Sequence, residues 1–229
     1  MGPVTSTEAA GPTSRFRVLV PHNVAMTTLL LVHGGLWEAG MDAGAFWYRP
    51  GVVAALERRG FDVLAPDRPA RAPSWVAEAD HLARQFPDRG VTVVAGSNGC
   101  SAAARLALTR PAAIERLLLA WPATAGDAEV DARDRAALAA AGASDQTVAG
   151  LLAGETLRGV TDAELSGLTL PVGLLPAEPP NPFHQQSTVD ALAALIPGAT
   201  VLPGCTEPPR PDFGADLERF ADAVAGFAR

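Results

Sequence analysis

Apolar residues in this chain come in short dense runs, separated by stretches in which they recur every three or four positions. RFRVLV (Arg15 to Val20) and TLLLV (Thr28 to Val32) open the series, and FDVLAPD (Phe61 to Asp67) and VTVVAG (Val91 to Gly96) follow. RLLLAWP (Arg116 to Pro122), PVGLLPA (Pro171 to Ala177) and TVLPG (Thr200 to Gly204) complete it. Runs of this length without polar alternation read as strands buried on both faces, the mark of a largely parallel sheet. Between them, GVVAALERRG, PSWVAEADHLARQF, the segment after Ser97, STVDALAALI and DLERFADAVAGFA carry helical spacing. Alternating strands and helices with short connections predict an open α/β fold with a mostly parallel, doubly wound sheet.

One region breaks the alternation. From Asp127 to about Leu168 the chain is Ala-rich and polar with no good strand. It is expected to form two or three short helices inserted over the sheet edge, a small cap near the carboxyl ends of the strands where ligands of such sheets bind. A longer crossover helix pair with no role at a site is the plainer alternative. The α/β core is then expected over residues 15–126 and 169–229, the cap over 127–168, and a flexible leader over 1–14.

Composition narrows the function classes. At 229 residues and 23.6 kDa the chain can bury one sizeable core. A net charge of −7 argues against a nucleic-acid or anionic-membrane partner. All 18 basic residues are Arg, so Schiff-base chemistry is excluded. No apolar run is long enough to span a bilayer, and MGPVTSTEAAGPTS lacks the basic and apolar regions of a secretory signal. It matches the myristoylation pattern M-G-x-x-x-S, yet reads better as a frayed tail. Two cysteines, Cys100 and Cys205, make neither a disulfide framework nor a metal site. The expectation is a cytoplasmic protein with no cofactor and no metal, acting on a small molecule.

The candidate chemistry centres on VVAGSNGCSAA, a strand, a small-residue turn and a helix. A nucleophile elbow needs small residues two before and two after its apex, because the backbone closes on itself there. Ser97 is flanked in this way by Ala95 and Gly99, and Asn98 by Gly96 and Cys100. Spacing alone admits both.

At this point the chain resembles the α/β-hydrolase family, whose usual run is V-G-H-S-M-G-G followed by a small-residue helix. Placing Ser97 on the family's serine runs without a gap through NGCSAAARLALTRPAAIERLLLAWPA, which makes Ser97 the nucleophile position. LLLVHGGLWEAG then looks like the family's oxyanion loop. The resemblance implies one backbone donor from Gly35 or Leu36 and a second from Asn98, with His33 a structural hydrogen-bonding residue. LAPDRPARAPSW resembles A-P-D-x-R-G-x-G-x-S with its glycines replaced. The likeness covers nearly all of the chain past the leader.

The other two triad positions depart from the family. After PVGLLPA the family has G-x-x-D-P, and here AEPPNPFHQ puts Asn181 nearest the expected Asp. After the last strand the family has P-G-x-G-H, and here PGCTEPPRPDF puts Glu207 where the histidine should be. A serine hydroxyl needs a base to take its proton, so a replacement must be sought. His184 lies three residues past Asn181, in a loop that normally faces the site, and could reach Ser97 from an unusual direction. Glu207 could act in proton transfer; Asp127 and Glu178 are further candidate acids. His22 and His81 carry no such expectation, and a thiolate role for Cys205 is disfavoured without an adjacent histidine.

Trp37, Trp121 and Phe183, with Phe46 and Asn181, are expected to line an apolar substrate pocket. Trp47 and Trp75 could equally be core. Three functions stay open. One is a hydrolase of a small apolar ester, thioester or lactone using Ser97 with His184 or Glu207. Another is a non-hydrolytic cyclase, lyase, decarboxylase or isomerase on the same scaffold. The third is a catalytically silent ligand-binding protein.

Overall fold

The computed structural model describes residues 26–87 and 90–229. The expected leader, the opening run Arg15 to Val20 and His22 lie outside the described residues. The elements run β1 (Thr28–Val32), α1 (Val52–Glu57), β2 (Asp62–Leu64), α2 (Trp75–Leu82), β3 (Val91–Gly96), α3 (Gly99–Thr109) and β4 (Ile114–Ala120). Three helices follow, α4 (Ala128–Ala140), α5 (Asp145–Leu152) and α6 (Asp162–Ser166). The chain then forms β5 (Val172–Leu175), α7 (Gln186–Leu195), β6 (Thr200–Val201) and α8 (Leu217–Ala228).

Among the described residues the sheet has six strands in the order β2-β1-β3-β4-β5-β6, and every pairing is parallel. Its side chains alternate between two buried layers. Leu30 and Val32 of β1 pack with Trp75, Leu82, Leu106 and Leu192 on one face. Leu29 and Leu31 pack with Trp47, Leu56, Phe220 and Val224 on the other. Helices cover both faces, which is why the strand segments read as unbroken apolar runs.

Local chemistry sets the helix starts. The Ser74 and Ser144 hydroxyls accept from Ala77 N and Thr147 N at the heads of α2 and α5. Thr161 and Glu164 form a capping box on α6.

Several elements are shorter than the pattern predicts, α2 and β6 among them. The spacing of PSWVAEADHLARQF continues to Phe86, but α2 stops at Leu82. Arg84 N and Gln85 N then bond three residues back, to His81 O and Leu82 O, tightening the chain out of the helix. Strand β6 holds only Thr200 and Val201 of TVLPG, since Pro203 has no N–H to extend a ladder. A π-helical turn over Gly44–Tyr48, invisible in the periodicity, buries Phe46 and Trp47. No helix among the described residues is long and apolar enough to cross a membrane.

Candidate active site

The strand order reverses between β1 and β3: the chain leaves β1 for β2 on one side, then returns to β3 on the other. The carboxyl ends of adjacent strands diverge there into the loops that form a binding crevice in open α/β sheets. The loop His33-Gly34-Gly35 follows β1 and Ser97 follows β3, so the topology makes them neighbours.

Ser97 sits at φ +53°, in the left-handed region that a residue with a Cβ rarely adopts, and its N–H donates to Ala120 O of β4 at 3.0 Å. Asn98 at φ −60° is already helical and is the N-cap of α3. The strained apex is therefore Ser97. Gly99 shows why the turn needs small residues: a Cβ there would stand 2.5 Å from His33 O and 2.7 Å from Val32 O.

His184 Nε2 lies 2.9 Å from Ser97 Oγ, and its Nδ1 lies 3.4 Å from Glu207 Oε1. A carboxylate can only accept, so a proton on Nδ1 would face Glu207 and leave Nε2 to accept from the serine hydroxyl; Asn181 Nδ2 also lies 3.4 Å from Nδ1. His184 stands in the loop after β5 and Glu207 in the loop after β6. Burial pushes the Glu207 carboxyl up, but the hydrogen bond and charge of His184 outweigh it and hold the group below its ordinary value.

Asn181 fixes this arrangement. Its Oδ1 accepts from Phe183 N at 3.0 Å and His184 N at 3.2 Å, closing a local turn, while its Nδ2 donates to Glu207 Oε1 at 3.1 Å. The same loop is tied to the segment after β4. Thr124 N donates to Phe183 O at 2.8 Å, and Gln185 N donates to Thr124 Oγ1 at 3.0 Å. With both neighbours anchored, the His184 imidazole is held over Ser97.

A cavity of about 670 Å³ opens above these groups. Leu36, Trp37, Met41, Phe46 and Phe183 make its apolar wall, and Gly35, Asn98 and Asn181 also line it. Trp37 is steadied by its indole N–H, which donates to Ala72 O at 3.0 Å. A larger groove, about 810 Å³, lies along β6 and α8, and none of its lining residues belongs to the Ser97 site.

Trp121, expected in the pocket, is in the core instead. It is fully buried, stacked on Phe220 with ring centres 4.9 Å apart, and does not line the cavity. Its indole N–H donates to Cys205 O at 2.9 Å. The ring follows the strand end at φ +49°, which turns it away from the crevice and into the layer of α8. Trp47 and Trp75 are also core.

The remaining candidates lie elsewhere. His33 Nδ1 donates to Gly34 O at 2.8 Å, and its Nε2 accepts from Arg68 N at 2.9 Å. Burial, followed by the Arg68 charge, lowers its pKa to about 4, so it is a neutral structural link. Asp127 caps α4 by accepting from Val130 N and Glu129 N, and the Val130 bond, followed by one from Gln185 Nε2 at 3.1 Å, holds its carboxyl below the ordinary range. Glu178 is exposed, 3.7 Å from Arg219. His81 is a half-buried residue of α2 whose Nε2 lies 3.2 Å from Asp67 O. Burial pushes the Cys205 thiol up to about 12 and raises Cys100 as well, so neither supplies a thiolate.

Arg158 was not marked by any sequence signal. It is buried between α4 and the elbow, bonded to Asn98 Oδ1 at 3.2 Å, Asp131 at 2.9 Å and Asp134 at 2.6 Å. An arginine in a polar, Ala-rich segment looks like a surface residue, and only the packing of that segment against α3 buries it.

No protein-family model matches the chain, and no curated relative matches it in sequence. Solved structures do. An esterase, RhEst1, from Rhodococcus sp. ECU1013 superposes with a TM-score of 0.62 at 17% identity, over 90% of this chain and 91% of that one. Carboxylesterase CesB (YbfK) from Bacillus subtilis gives 0.60 at 18% identity, over 90% and 84%. MGS-MChE2, an alpha/beta hydrolase enzyme from the metagenome of lagoon sediments at Mar Chica, Morocco, gives 0.61 at 16%, over 88% and 90%. Likeness at this identity speaks for the backbone arrangement alone, and that arrangement agrees with the parallel sheet, the strand order and the strained elbow: the chain has the α/β-hydrolase fold.

Proposed function

We propose that this protein is a serine hydrolase of small apolar carbonyl compounds (esters, thioesters or lactones), with Ser97 as nucleophile, His184 as base and Glu207 as its orienting carboxylate. The observation that carries the reading is the 2.9 Å contact between Ser97 Oγ and His184 Nε2, because a hydroxyl without a base in reach is a poor nucleophile. In the first step Ser97 Oγ bonds to the substrate carbonyl carbon while its proton passes to His184 Nε2. The imidazolium that forms is stabilised by Glu207 through Nδ1–H. The carbonyl π pair moves onto oxygen, where the N–H of Asn98, at the head of α3, and that of Gly35 or Leu36 would receive it. Collapse expels the leaving group with the proton from Nε2 and leaves an acyl-serine. Water then gives a proton to His184 and attacks the acyl carbon; as this second adduct collapses the proton passes from Nε2 to Ser97 Oγ, releasing the acid and restoring the serine hydroxyl.

Compared with the family's usual order, the histidine and the acid have exchanged loops. The two loops flank Ser97 from neighbouring strands, so either can deliver the imidazole if the other delivers the carboxylate. Apolar lining from Leu36, Trp37, Met41 and Phe46 supports an apolar substrate, and Val130 and Ala137 of α4 also reach the cavity, supporting a cap role for residues 127–168. Among the structural neighbours are a carboxylesterase and an esterase, which favours hydrolysis over the non-hydrolytic and silent readings.

The test is covalent labelling by a fluorophosphonate probe, mapped by peptide mass spectrometry, alongside release of p-nitrophenol from a short-chain ester. Labelling at Ser97, with both signals lost in Ser97→Ala, is expected. Turnover that persists unchanged in Ser97→Ala would sink the reading.

A further inference from the structure

Arg68 is a buried guanidinium whose hydrogen bonds converge on one loop. Its Nη1 donates to three successive carbonyls: His33 O at 2.8 Å, Gly34 O at 2.9 Å and Gly35 O at 2.9 Å. On its other edge, Nε and Nη2 grip both oxygens of Glu78, at 2.6 and 3.0 Å. Arg68 and Glu78 are only 8% and 1% exposed, so solvent does not compete for these bonds. Its own N–H fixes the imidazole of His33 at the start of the same loop.

A planar trans peptide points the C=O of one residue and the N–H of the next in opposite directions. Carbonyls of Gly34 and Gly35 that face Arg68 therefore turn the N–H groups of Gly35 and Leu36 away from it. Those two residues line the cavity that holds Ser97. The conformation depends on glycine: Gly35 sits at φ +86°, and a Cβ there would meet Met41 Cγ at 2.5 Å. A loop with such freedom can rotate its peptide planes unless something outside the loop holds them.

We propose that Arg68, itself held by Glu78, is a positioning residue that keeps the N–H groups of Gly35 and Leu36 aimed at the substrate oxyanion. This rests on the serine-hydrolase reading above. Arg68 touches no reacting atom. It acts by making the alternative, a carbonyl turned into the site, forfeit that carbonyl's charge-assisted hydrogen bond to the guanidinium. Lysine cannot replace it, because one ammonium cannot span a carboxylate and three carbonyls at once.

The experiment compares wild type with Arg68→Lys and the near-isosteric Glu78→Gln, using a neutral p-nitrophenyl ester and a boronic acid that mimics the tetrahedral oxyanion. Thermal melting establishes which variants are folded. A lost oxyanion donor lowers turnover by about 10²–10³-fold. Arg68→Lys should approach that loss in kcat, with KM within about threefold of wild type and boronate affinity falling in parallel with kcat. Glu78→Gln should show the same pattern more weakly. A packing role alone would lower the melting temperature without that split. Folded variants with wild-type kcat, or a loss confined to KM, overturn the proposal. If Arg68→Lys does not fold, Glu78→Gln decides by the same criteria. Ser97→Ala is the control that separates the two ideas: undiminished turnover there defeats the hydrolase reading itself, and the Arg68 proposal with it.

Discussion

His184 Nδ1 lies 3.4 Å from Glu207 Oε1, across the gap between the loops that follow β5 and β6. The pair is separated by 22 residues of helix, strand and turn, and α7 between them carries the chain back under the sheet so that both loops emerge at the same edge. Asn181 completes the contact by donating to the same carboxylate oxygen. A proton on Nδ1 directed at this oxygen is what would leave Nε2 free to accept from Ser97.

Removing the imidazole should remove the reaction. His184→Ala is expected to lower kcat by roughly 10⁶-fold, the scale seen when a serine protease loses its base. Adding Ser97→Ala should cost little more, because the two groups work as a unit. Steady-state kinetics on the single and double variants measures this, and additive losses would contradict it.

Glu207→Gln keeps the shape of the side chain and removes its charge. The amide can present a donor to Nδ1 and favour the wrong tautomer, so kcat should fall by about 10⁴-fold. Circular dichroism should be unchanged. A loss under tenfold would mean that Glu207 does not orient the base.

Trp37 and Trp121 should separate cleanly. Trp121→Phe retains the ring stack but removes one of the two donors to Cys205 O, the other being Glu178 N, a loss of about 0.5–1.5 kcal/mol in urea unfolding. Its KM should stay near wild type. Trp37→Ala should do the reverse, raising KM for apolar esters several-fold with a smaller change in stability. Equal KM shifts in both would return Trp121 to the pocket.

Acid should expose the buried His33. Its pKa is about 4 in the folded chain against an ordinary 6.5, so the unfolded chain binds the extra proton first as pH falls. Stability from this group is complete above 6.5 and is lost between 6.5 and about 4, a change of about 3 kcal/mol. Other depressed groups, Glu207 among them, add their own acid losses. The difference between wild type and His33→Asn, measured by urea unfolding at pH 7 and pH 4.5, isolates His33. The variant should lose less stability than wild type over that interval, and identical slopes would contradict the assignment.

Continuous apolar runs determined the parallel, two-sided sheet, because a strand with helices on both faces has no polar face to show. Ala95, Ser97 and Gly99 determined the elbow, because a turn that tight excludes larger neighbours. Those features are local, and local sterics are written in neighbouring residues. Partnership is different. Nothing in AEPPNPFHQ or PGCTEPPRPDF says that His184 and Glu207 meet, since their approach depends on where β5 and β6 end and how Asn181 and Thr124 pin the loop. The same holds for Trp121, whose position after a strand suggested the crevice until the backbone at φ +49° sent its ring into the core. Arg158 has no sequence signature at all, and Arg68 only its place in LAPDRPARAPSW, because a buried arginine is recognised only by the carbonyls and carboxylates that folding gathers around it. The sequence by itself determined the scaffold and its one strained serine; the tertiary structure alone decided what stands beside that serine, because side-chain partnership is a property of strand ends and loop anchors distant in the chain.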